Sequence, residues 1–185
     1  PATVTKLKVS STGEKSVKLS WKKVTGADSY AIYRYDNTSK KWQRIKTVKA
    51  VSFTDSGLAR AKGYSYKVKA VKKSGGKEYI SASYSKAVEA VTKPAKASCT
   101  AKSAGSGSIE VSWKAVGGAS GYEIYSSSNG SDYVKSAKVG GSQKSDIVSG
   151  FEPYSLRMVK VRAYKTVNGK TSYGAFSQAV MVIVR

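Results

Sequence analysis

Histidine is absent from this 185-residue chain, and cysteine occurs once, at Cys99. Without histidine, no side chain has an ordinary pKa near neutrality with which to act as a general base. A single cysteine excludes an internal disulfide and leaves too few ligands for a zinc site. We therefore expect no metal and no other cofactor. Cys99 lies 14 residues before Trp113, as Leu7 lies 14 before Trp21, so we expect it to be a small core side chain rather than a nucleophile.

Long apolar stretches and prolines are also scarce. No apolar run approaches the ~20 residues that a membrane helix needs, and there are 3 prolines. The chain opens on Pro-Ala-Thr-Val without the charged and apolar segments of a secretory signal. We expect no membrane insertion, and we expect the sequence to be a piece of a longer protein.

Acidic side chains are few, 11 against 33 lysines and arginines, which gives a net charge of +22. Residues 1–93 carry 21 basic and 6 acidic side chains (+15), and residues 94–185 carry 12 and 5 (+7). Such a field attracts polyanions over about 8 Å at physiological salt. Most of the cations are lysines, which act as hydrated point charges, and this favours diffuse attraction over shaped phosphate recognition.

The sequence does contain an internal repeat. Ser-Trp at 20–21 is followed by Gly-Ala-Asp-Ser-Tyr-Ala-Ile-Tyr at 26–33, and Ser-Trp at 112–113 by Gly-Ala-Ser-Gly-Tyr-Glu-Ile-Tyr at 118–125. Trp21 and Trp113 are 92 residues apart, as are Tyr30 and Tyr122. This spacing is the length of one small domain. We predict two domains, residues 1–92 (copy one) and 93–185 (copy two).

Apolar and polar residues alternate with a period of two through both copies, and helical periodicity is nearly absent. Turn-forming Gly, Ser, Asn and Asp bound each run. In copy one the runs give seven strands, at roughly 5–10, 16–23, 29–35, 41–48, 50–54, 63–73 and 79–91. We predict an all-β fold of two tandem immunoglobulin-like, seven-stranded β-sandwiches.

The motifs, taken together, resemble fibronectin type III repeats, in particular the Lys- and Tyr-rich repeats of exported proteins of Gram-positive bacteria. They are the second-strand tryptophan (Trp21, Trp113), the third-strand Tyr-x-Ile (Tyr30/Ile32, Tyr122/Ile124), Leu58 with Tyr64, Val68 and Ala70, and the segments 83–85 and 175–177 at the start of the last strand. The resemblance implies a non-catalytic spacer or interaction segment of a larger secreted or cell-surface bacterial protein. Its partners would be the other domains of that protein, and the chain would be monomeric.

Copy two departs from the family pattern at one corner. In copy one Leu58 is followed six residues later by Tyr64, whereas in copy two Phe151 is followed by Arg157. The resemblance implies that the tyrosine fastens the sixth strand to the preceding loop. We therefore expect copy two to be looser or shifted in register there, with Tyr154 as the candidate substitute.

A candidate binding face lies on the third and sixth strands, which are neighbours in this fold. Their outward positions are predicted to be Ala31, Tyr33, Tyr35, Lys67 and Lys69 in copy one, and Glu123, Tyr125, Lys160, Arg162 and Tyr164 in copy two. Trp42, flanked by Lys41 and Arg44, recurs as Tyr133. The candidate site is Tyr33, Tyr35, Trp42, Arg44, Lys67 and Lys69.

Two interpretations of this face remain open. Lysines and stacked rings could hold an anionic polymer such as a teichoic acid, a sulfated glycan or a nucleic acid, or could contact a host or cell-wall surface protein. Alternatively, Tyr–Lys pairs across the strands simply stabilise the sheet while Trp42 covers one end of it.

An enzyme is not expected. The acids of copy one are scattered over predicted turns and strand ends: Glu14, Asp28, Asp36, Asp55, Glu78 and Glu89. No two of these acids have the spacing expected of a glycosidase carboxylate pair, although carboxylates distant in sequence can still meet in space. Part of a glycan hydrolase is the remote alternative.

Overall fold

The computed structural model describes residues 1–185, and all of its regular elements are β-strands. They are β1 (Lys8–Thr12), β2 (Ser16–Ser20), β3 (Ser29–Asp36), β4 (Lys41–Val48), β5 (Ser52–Ser56), β6 (Gly63–Ser74), β7 (Lys77–Ile80), β8 (Val88–Val91), β9 (Cys99–Gly105), β10 (Ser108–Trp113), β11 (Gly121–Ser127), β12 (Val134–Gly140), β13 (Ser145–Val148), β14 (Leu156–Val167), β15 (Lys170–Tyr173) and β16 (Val180–Ile183). No helix with the length and apolarity for a bilayer crossing is present.

The contacts divide the chain into two compact units. Unit 1 holds residues 1–59 and 63–92, and unit 2 holds residues 60–62 and 93–185. The proposal that residues 1–92 and 93–185 fold as separate domains stays a prediction.

Each unit is a sandwich of two antiparallel sheets. In unit 1 one sheet has the order β1-β2-β5 and the other β4-β3-β6-β7, with β8 paired to the first half of β6. Unit 2 repeats this as β9-β10-β13 and β12-β11-β14-β15, with β16 on β14. Since β7 with β8, and β15 with β16, are two parts of one strand position, the predicted all-β fold of two seven-stranded sandwiches is confirmed.

The last strand of unit 1 is interrupted, although the sequence predicts one strand over 79–91. Serine hydroxyls replace backbone carbonyls at the interruption. The amide of Ala70 donates to Ser81 Oγ at 3.2 Å, and the amide of Val68 donates to Ser85 Oγ at 3.0 Å. The backbone can therefore leave the ladder between β7 and β8 without orphaning the amides of β6. Ser177 does the same for Val161 in unit 2, at 3.0 Å.

A tryptophan–tyrosine pair lies at the centre of each core. Trp21 packs edge-on against Tyr30, with ring centroids 5.4 Å apart, and both are buried. The buried Tyr30 hydroxyl accepts a hydrogen bond from the amide of Val24 at 2.9 Å. Tyr122 accepts one from Val116 at 2.8 Å in unit 2. Each tyrosine thus adds ring burial to the core and also fixes the loop between the second and third strands.

Of the two alternatives expected for the corner of unit 2, the register shift is wrong, and a looser corner stays a prediction. Arg157 pairs with Val182 in the register that Tyr64 has with Ala90 in unit 1. Tyr64 Oη accepts a hydrogen bond from the amide of Ala59 at 2.9 Å. In unit 2 no tyrosine makes the equivalent bond from the corner position, which Arg157 occupies.

Tyr154 is not the substitute, because its side chain is 85% exposed. Its backbone amide instead donates to the carbonyl of Val184 at 2.8 Å. The Arg157 guanidinium lies 5.0 Å from the centre of the Phe151 ring, and the Phe151 amide donates to Gly107 at 3.0 Å. Backbone hydrogen bonds and a cation–π contact therefore hold this corner.

Unit 1 carries a polar network between its sheets that the sequence did not predict. Asp55 was expected at a turn or strand end, but it lies within β5 and is 7% exposed. Its Oδ2 accepts hydrogen bonds from Arg34 Nη1 at 2.7 Å and from the Tyr66 hydroxyl at 2.8 Å. Burial raises the pKa of Tyr66, and the hydrogen bond to Asp55 raises it further. The equivalent positions in unit 2, by strand register, are Ser126, Val148 and Val159.

We predict that Asp55→Ala lowers the free energy of unfolding of unit 1 by about 3 kcal/mol, because it leaves the Tyr66 hydroxyl and Arg34 without their acceptor. Urea unfolding followed by residue-resolved NMR measures it. Replacing all three residues with those of unit 2 (Arg34→Ser, Asp55→Val, Tyr66→Val) should recover part of the loss. An Asp55→Ala variant within ~0.5 kcal/mol of the parent would contradict this role.

Candidate functional site

The predicted face in unit 1 is assembled by the strand register of β4, β3 and β6. Tyr33 lies opposite Lys67 on β6 and Arg44 on β4, and Tyr35 lies opposite Trp42. These side chains leave the same side of the sheet because each is an even number of residues from its neighbour on the strand. We call Tyr33, Tyr35, Trp42, Lys67, Lys69 and Tyr84 the aromatic–lysine face.

The rings of the aromatic–lysine face pack edge to face, and the ammonium groups of Lys67 and Lys69 lie against them. Tyr33 meets Tyr84 at 5.0 Å between centroids and 88° between planes, and Tyr35 meets Trp42 at 5.3 Å. Lys67 Nζ lies 4.5 Å from the centre of the Trp42 ring and 5.3 Å from that of Tyr84. Cation–π attraction of about 0.5–1 kcal/mol at such exposed sites holds a lysine in place and leaves its ammonium protons free for a further acceptor.

Lys69 has a second anchor. Its Nζ lies 4.3 Å from the centre of the Tyr84 ring and donates to the carbonyl of Ala82 at 2.9 Å. Neither Lys67 nor Lys69 forms an ion pair with a carboxylate. The two ammonium groups are therefore positioned cations without a counter-charge.

Tyr84 joins the two lysines, and sequence reasoning did not place it in the site. It lies in the interruption between β7 and β8, where alternation cannot assign a side. The signal that could have found it is its counterpart, Phe176, which recurs as an aromatic 92 residues later.

Arg44 is the one candidate residue that has a carboxylate partner. Its Nη1 donates to Glu78 at 3.1 Å and its Nη2 to Thr47 at 2.6 Å. The hydrogen bond from Arg44 lowers the pKa of Glu78. Burial raises the pKa of Tyr33. Arg44 already has its own carboxylate, so it adds little free positive charge to the face.

Unit 2 repeats the face with different chemistry. Lys160 Nζ lies 3.5 Å from the centre of the Tyr133 ring and 4.4 Å from that of Phe176. Arg162 stacks on Tyr173, with 4.1 Å from its guanidinium carbon to the ring centre. Tyr125 meets Phe176 edge-on at 5.0 Å. The recurrence shows that rings and cations on this side of the sheet belong to the scaffold of both units.

The decisive difference is the residue at one position of the third strand. Ala31 in unit 1 and Glu123 in unit 2 occupy equivalent places, opposite Lys69 and Arg162 respectively. Both were predicted to point outward, but both are covered by the surrounding side chains, at 0% and 1% exposure. A buried carboxylate in unit 2 thus replaces a methyl group in unit 1.

Glu123 supplies a counter-charge to two cations of unit 2. Its Oε2 accepts hydrogen bonds from Arg162 Nη2 at 2.7 Å and Nε at 2.9 Å, and its Oε1 accepts one from Lys135 at 3.1 Å. Burial raises the pKa of Glu123, but the hydrogen bonds from Arg162 and Lys135 outweigh it, so that the net shift is downward. The same contact raises the pKa of Lys135.

The remaining groups that could carry chemistry are apart from one another. No group of three or more Cys, Asp and Glu side chains comes together as a metal ion would require. Cys99 is half-buried, packs against the core of unit 2, and has its Sγ 3.1 Å from Ser177 Oγ. The two buried carboxylates, Asp55 and Glu123, lie in different units, and each is bound by an arginine.

Comparison with solved structures shows the fold. A two-domain fibronectin type III segment of chicken tenascin superimposes with a TM-score of 0.53 and 18% identity, covering 96% of each chain. The FN1–FN3 domains of chicken CNTN1 cover all of this chain and 67% of that one, at 18% identity and a TM-score of 0.48. The likeness to the tenascin segment shows that this chain has the fold of tandem fibronectin type III repeats.

Comparison with curated sequences gives one partial relative. A poly(3-hydroxybutyrate) depolymerase of Ralstonia pickettii is 43% identical over 100 residues. The match covers 54% of this chain and 18% of that enzyme. No family model matches the sequence.

We predict that Glu123→Gln lowers the free energy of unfolding of unit 2 by about 1–2 kcal/mol at pH 7, because Arg162 and Lys135 lose their counter-charge while both keep some access to water. Since folding lowers the pKa of Glu123, its contribution is complete above the ordinary pKa of ~4.3 and is lost as the pH falls through the lowered value. Urea unfolding at pH 7, 5 and 3 measures the gap between variant and parent.

Glu110→Gln is the matched control. Glu110 pairs with Lys102 at 2.9 Å on the other sheet of unit 2, and the Lys102 side chain is 74% exposed. Its loss should cost less than ~0.5 kcal/mol. Equal effects of the two variants, or a Glu123→Gln gap that persists unchanged at pH 3, would contradict the assignment.

Proposed function

We propose that the chain is a non-catalytic tandem module, a spacer and interaction segment of a larger secreted or cell-surface bacterial protein. Its partners are then other domains of that protein, and it works as a monomer. The main support is that two sandwiches with separate cores account for the whole chain. The match to a stretch of a much longer bacterial enzyme is compatible with a module that larger proteins carry.

A spacer of this kind acts through geometry. Each unit buries its own Trp–Tyr core and needs no disulfide, so it can hold neighbouring domains apart as a compact body. Lysines on the edges of the sheets oppose strand-to-strand association between molecules. The net charge of +22 adds to this by repulsion between copies.

One observation favours a second candidate function, the binding of an anionic polymer by the aromatic–lysine face. Lys67 and Lys69 are positioned on rings and have no carboxylate partner. In unit 2 Glu123 binds Arg162, the counterpart of Lys69, so that of the two counterparts only Lys160 lies on rings without a carboxylate. Anionic polymers offer repeated oxygens to such ammonium groups, and Trp42 offers a ring against which a sugar or base can stack. Teichoic acid, sulfated glycan and nucleic acid all have this chemistry. The remote hydrolase alternative gains no support from Asp55 and Glu123, which are each committed to an arginine.

Retention of the full chain on heparin, teichoic acid and DNA across a salt series decides between the two. The test variant is Lys67→Gln with Lys69→Gln, and the charge-matched control is Lys46→Gln with Lys49→Gln, which removes two exposed lysines outside the face. For a pure spacer we expect both variants to elute at the same, slightly lower salt, since only net charge has changed. For a binding face we expect only the test variant to lose retention.

The Trp42 indole N–H signal in NMR spectra gives a local reading of the same question. It should shift on titration with the retained polymer if the face binds, and the shift should be absent in the Lys67→Gln, Lys69→Gln variant. A Trp42 signal that stays still while retention persists would refute the face as the binding site.

A further inference from the structure

Both units have a pocket at the same place, on the outer side of the first and second strands. In unit 1 it measures about 290 Å³ and is lined by Lys6, Lys8, Ser20, Trp21 and Lys22. In unit 2 it measures about 390 Å³ and is lined by Ser98, Cys99, Thr100, Ser112, Trp113 and Lys114. The pocket belongs to the scaffold, and only its lining differs.

The difference in lining is one of charge. Lys6, Lys8 and Lys22 of unit 1 stand where unit 2 has Ser98, Thr100 and Lys114. None of the three lysines forms an ion pair. Beside the pocket, the outward position of the second strand is Lys18 in unit 1 and Glu110 in unit 2. Glu110 is bound by Lys102 at 2.9 Å, so unit 2 has a carboxylate on this face where unit 1 has a further lysine.

The backbone brings these lysines together. Lys8 lies directly opposite Ser20 in the ladder of β1 and β2, and the amide of Lys22 donates to the carbonyl of Thr5 at 3.1 Å. The backbone of Lys6 lies in the left-handed region, with a φ of 55°. Residues other than glycine and asparagine seldom adopt this conformation. Strained residues of this kind cluster at ligand sites, where the surrounding structure holds them.

Protection of the sheet edge explains only part of this pattern. β1 is an edge strand, and lysines on an edge oppose aggregation. Lys18, however, lies in β2, which is central in its sheet, and Lys22 lies two residues after the end of that strand. Several like charges around one concavity, with the Ser20 hydroxyl among them, form a site in which an anion would relieve mutual repulsion.

We propose that this lysine pocket (Lys6, Lys8, Ser20, Trp21 and Lys22) binds a phosphate or sulfate group. The lysines supply charge-assisted hydrogen bonds, and the Ser20 hydroxyl, which shares a hydrogen bond with Ser10 Oγ at 2.7 Å, lies among them. Trp21 also lines the pocket, while its ring is buried in the core against Tyr30. The pocket lies on the sheet opposite the aromatic–lysine face and does not depend on the function of that face.

The test is a titration of the full chain with sodium sulfate, at ionic strength kept constant by exchange against sodium chloride, followed by ¹H–¹⁵N NMR. The chain has three tryptophans, which report on three places: Trp21 on the lysine pocket, Trp42 on the aromatic–lysine face and Trp113 on unit 2. We expect saturable shifts of the Trp21 indole and the Lys6 and Lys8 amides, with Trp113 unmoved. A parallel titration with inorganic polyphosphate distinguishes a free anion from a group carried on a polymer, which would bind at lower phosphate concentration through neighbouring lysines.

Two sets of variants make the test specific. Lys6→Gln, Lys8→Gln and Lys22→Gln together should weaken sulfate binding about tenfold or more, whereas the charge-matched Lys41→Gln, Lys46→Gln and Lys49→Gln should not. Ser98→Lys with Thr100→Lys should bring sulfate-dependent shifts to Trp113 in unit 2, which also covers the case in which the first variant folds poorly. Shifts of all three indoles in parallel, equal weakening by the control variant, or no gain at Trp113 would overturn the proposal.

Discussion

The alternation along the third strand of each unit is the constraint on which the rest of the structure depends. Tyr30 and Ile32, like Tyr122 and Ile124, must face the core, because the tyrosine packs on the tryptophan and its hydroxyl holds the amide of the preceding loop. A shift of one residue would expose the whole apolar set. With the inward side fixed, residues 31, 33 and 35, and 123 and 125, must share the outer side. The packing of the core therefore determines which positions of the third strand lie together on the outer face.

Local pattern predicts most of the fold because the core positions follow a period of two along most of each strand, with breaks at the β4 bulge beside Ile45 and at the buried neighbours Ala70 and Val71. The second, third, fourth and sixth strands of unit 1 fall where alternation places them, and the aromatic–lysine face follows from the same alternation. The split of the last strand was not predicted, because it depends on Ser81 and Ser85 supplying hydroxyls in place of backbone carbonyls. Sequence patterns do not reveal which serine will do this.

The polar residues were harder to predict than the apolar ones. Asp55 and Glu123 are buried because arginines reach them from neighbouring strands, Arg34 in one unit and Arg162 in the other. Such pairs depend on side-chain reach across strands that are distant in sequence. Tyr154 shows the opposite error: proximity in sequence suggested a corner tyrosine, but the backbone of the segment makes the bonds and the ring points to solvent. Tyr84 was missed because it lies where the strand is interrupted.

The two units thus share a scaffold but differ in charge balance. In unit 2 Glu123 binds Arg162 and Lys135 on one sheet and Glu110 binds Lys102 on the other. Ala31 and Lys18 occupy the places of these two carboxylates in unit 1. The reciprocal exchange Ala31→Glu and Glu123→Ala in the full chain tests this most directly, with polyphosphate titrated and the shifts of the Trp42, Lys67, Tyr133 and Lys160 N–H signals recorded. The account predicts that Ala31→Glu suppresses the shifts of Trp42 and Lys67 and that Glu123→Ala, which frees Arg162 and Lys135, enlarges those of Tyr133 and Lys160. Shifts that are unchanged by both exchanges would contradict it.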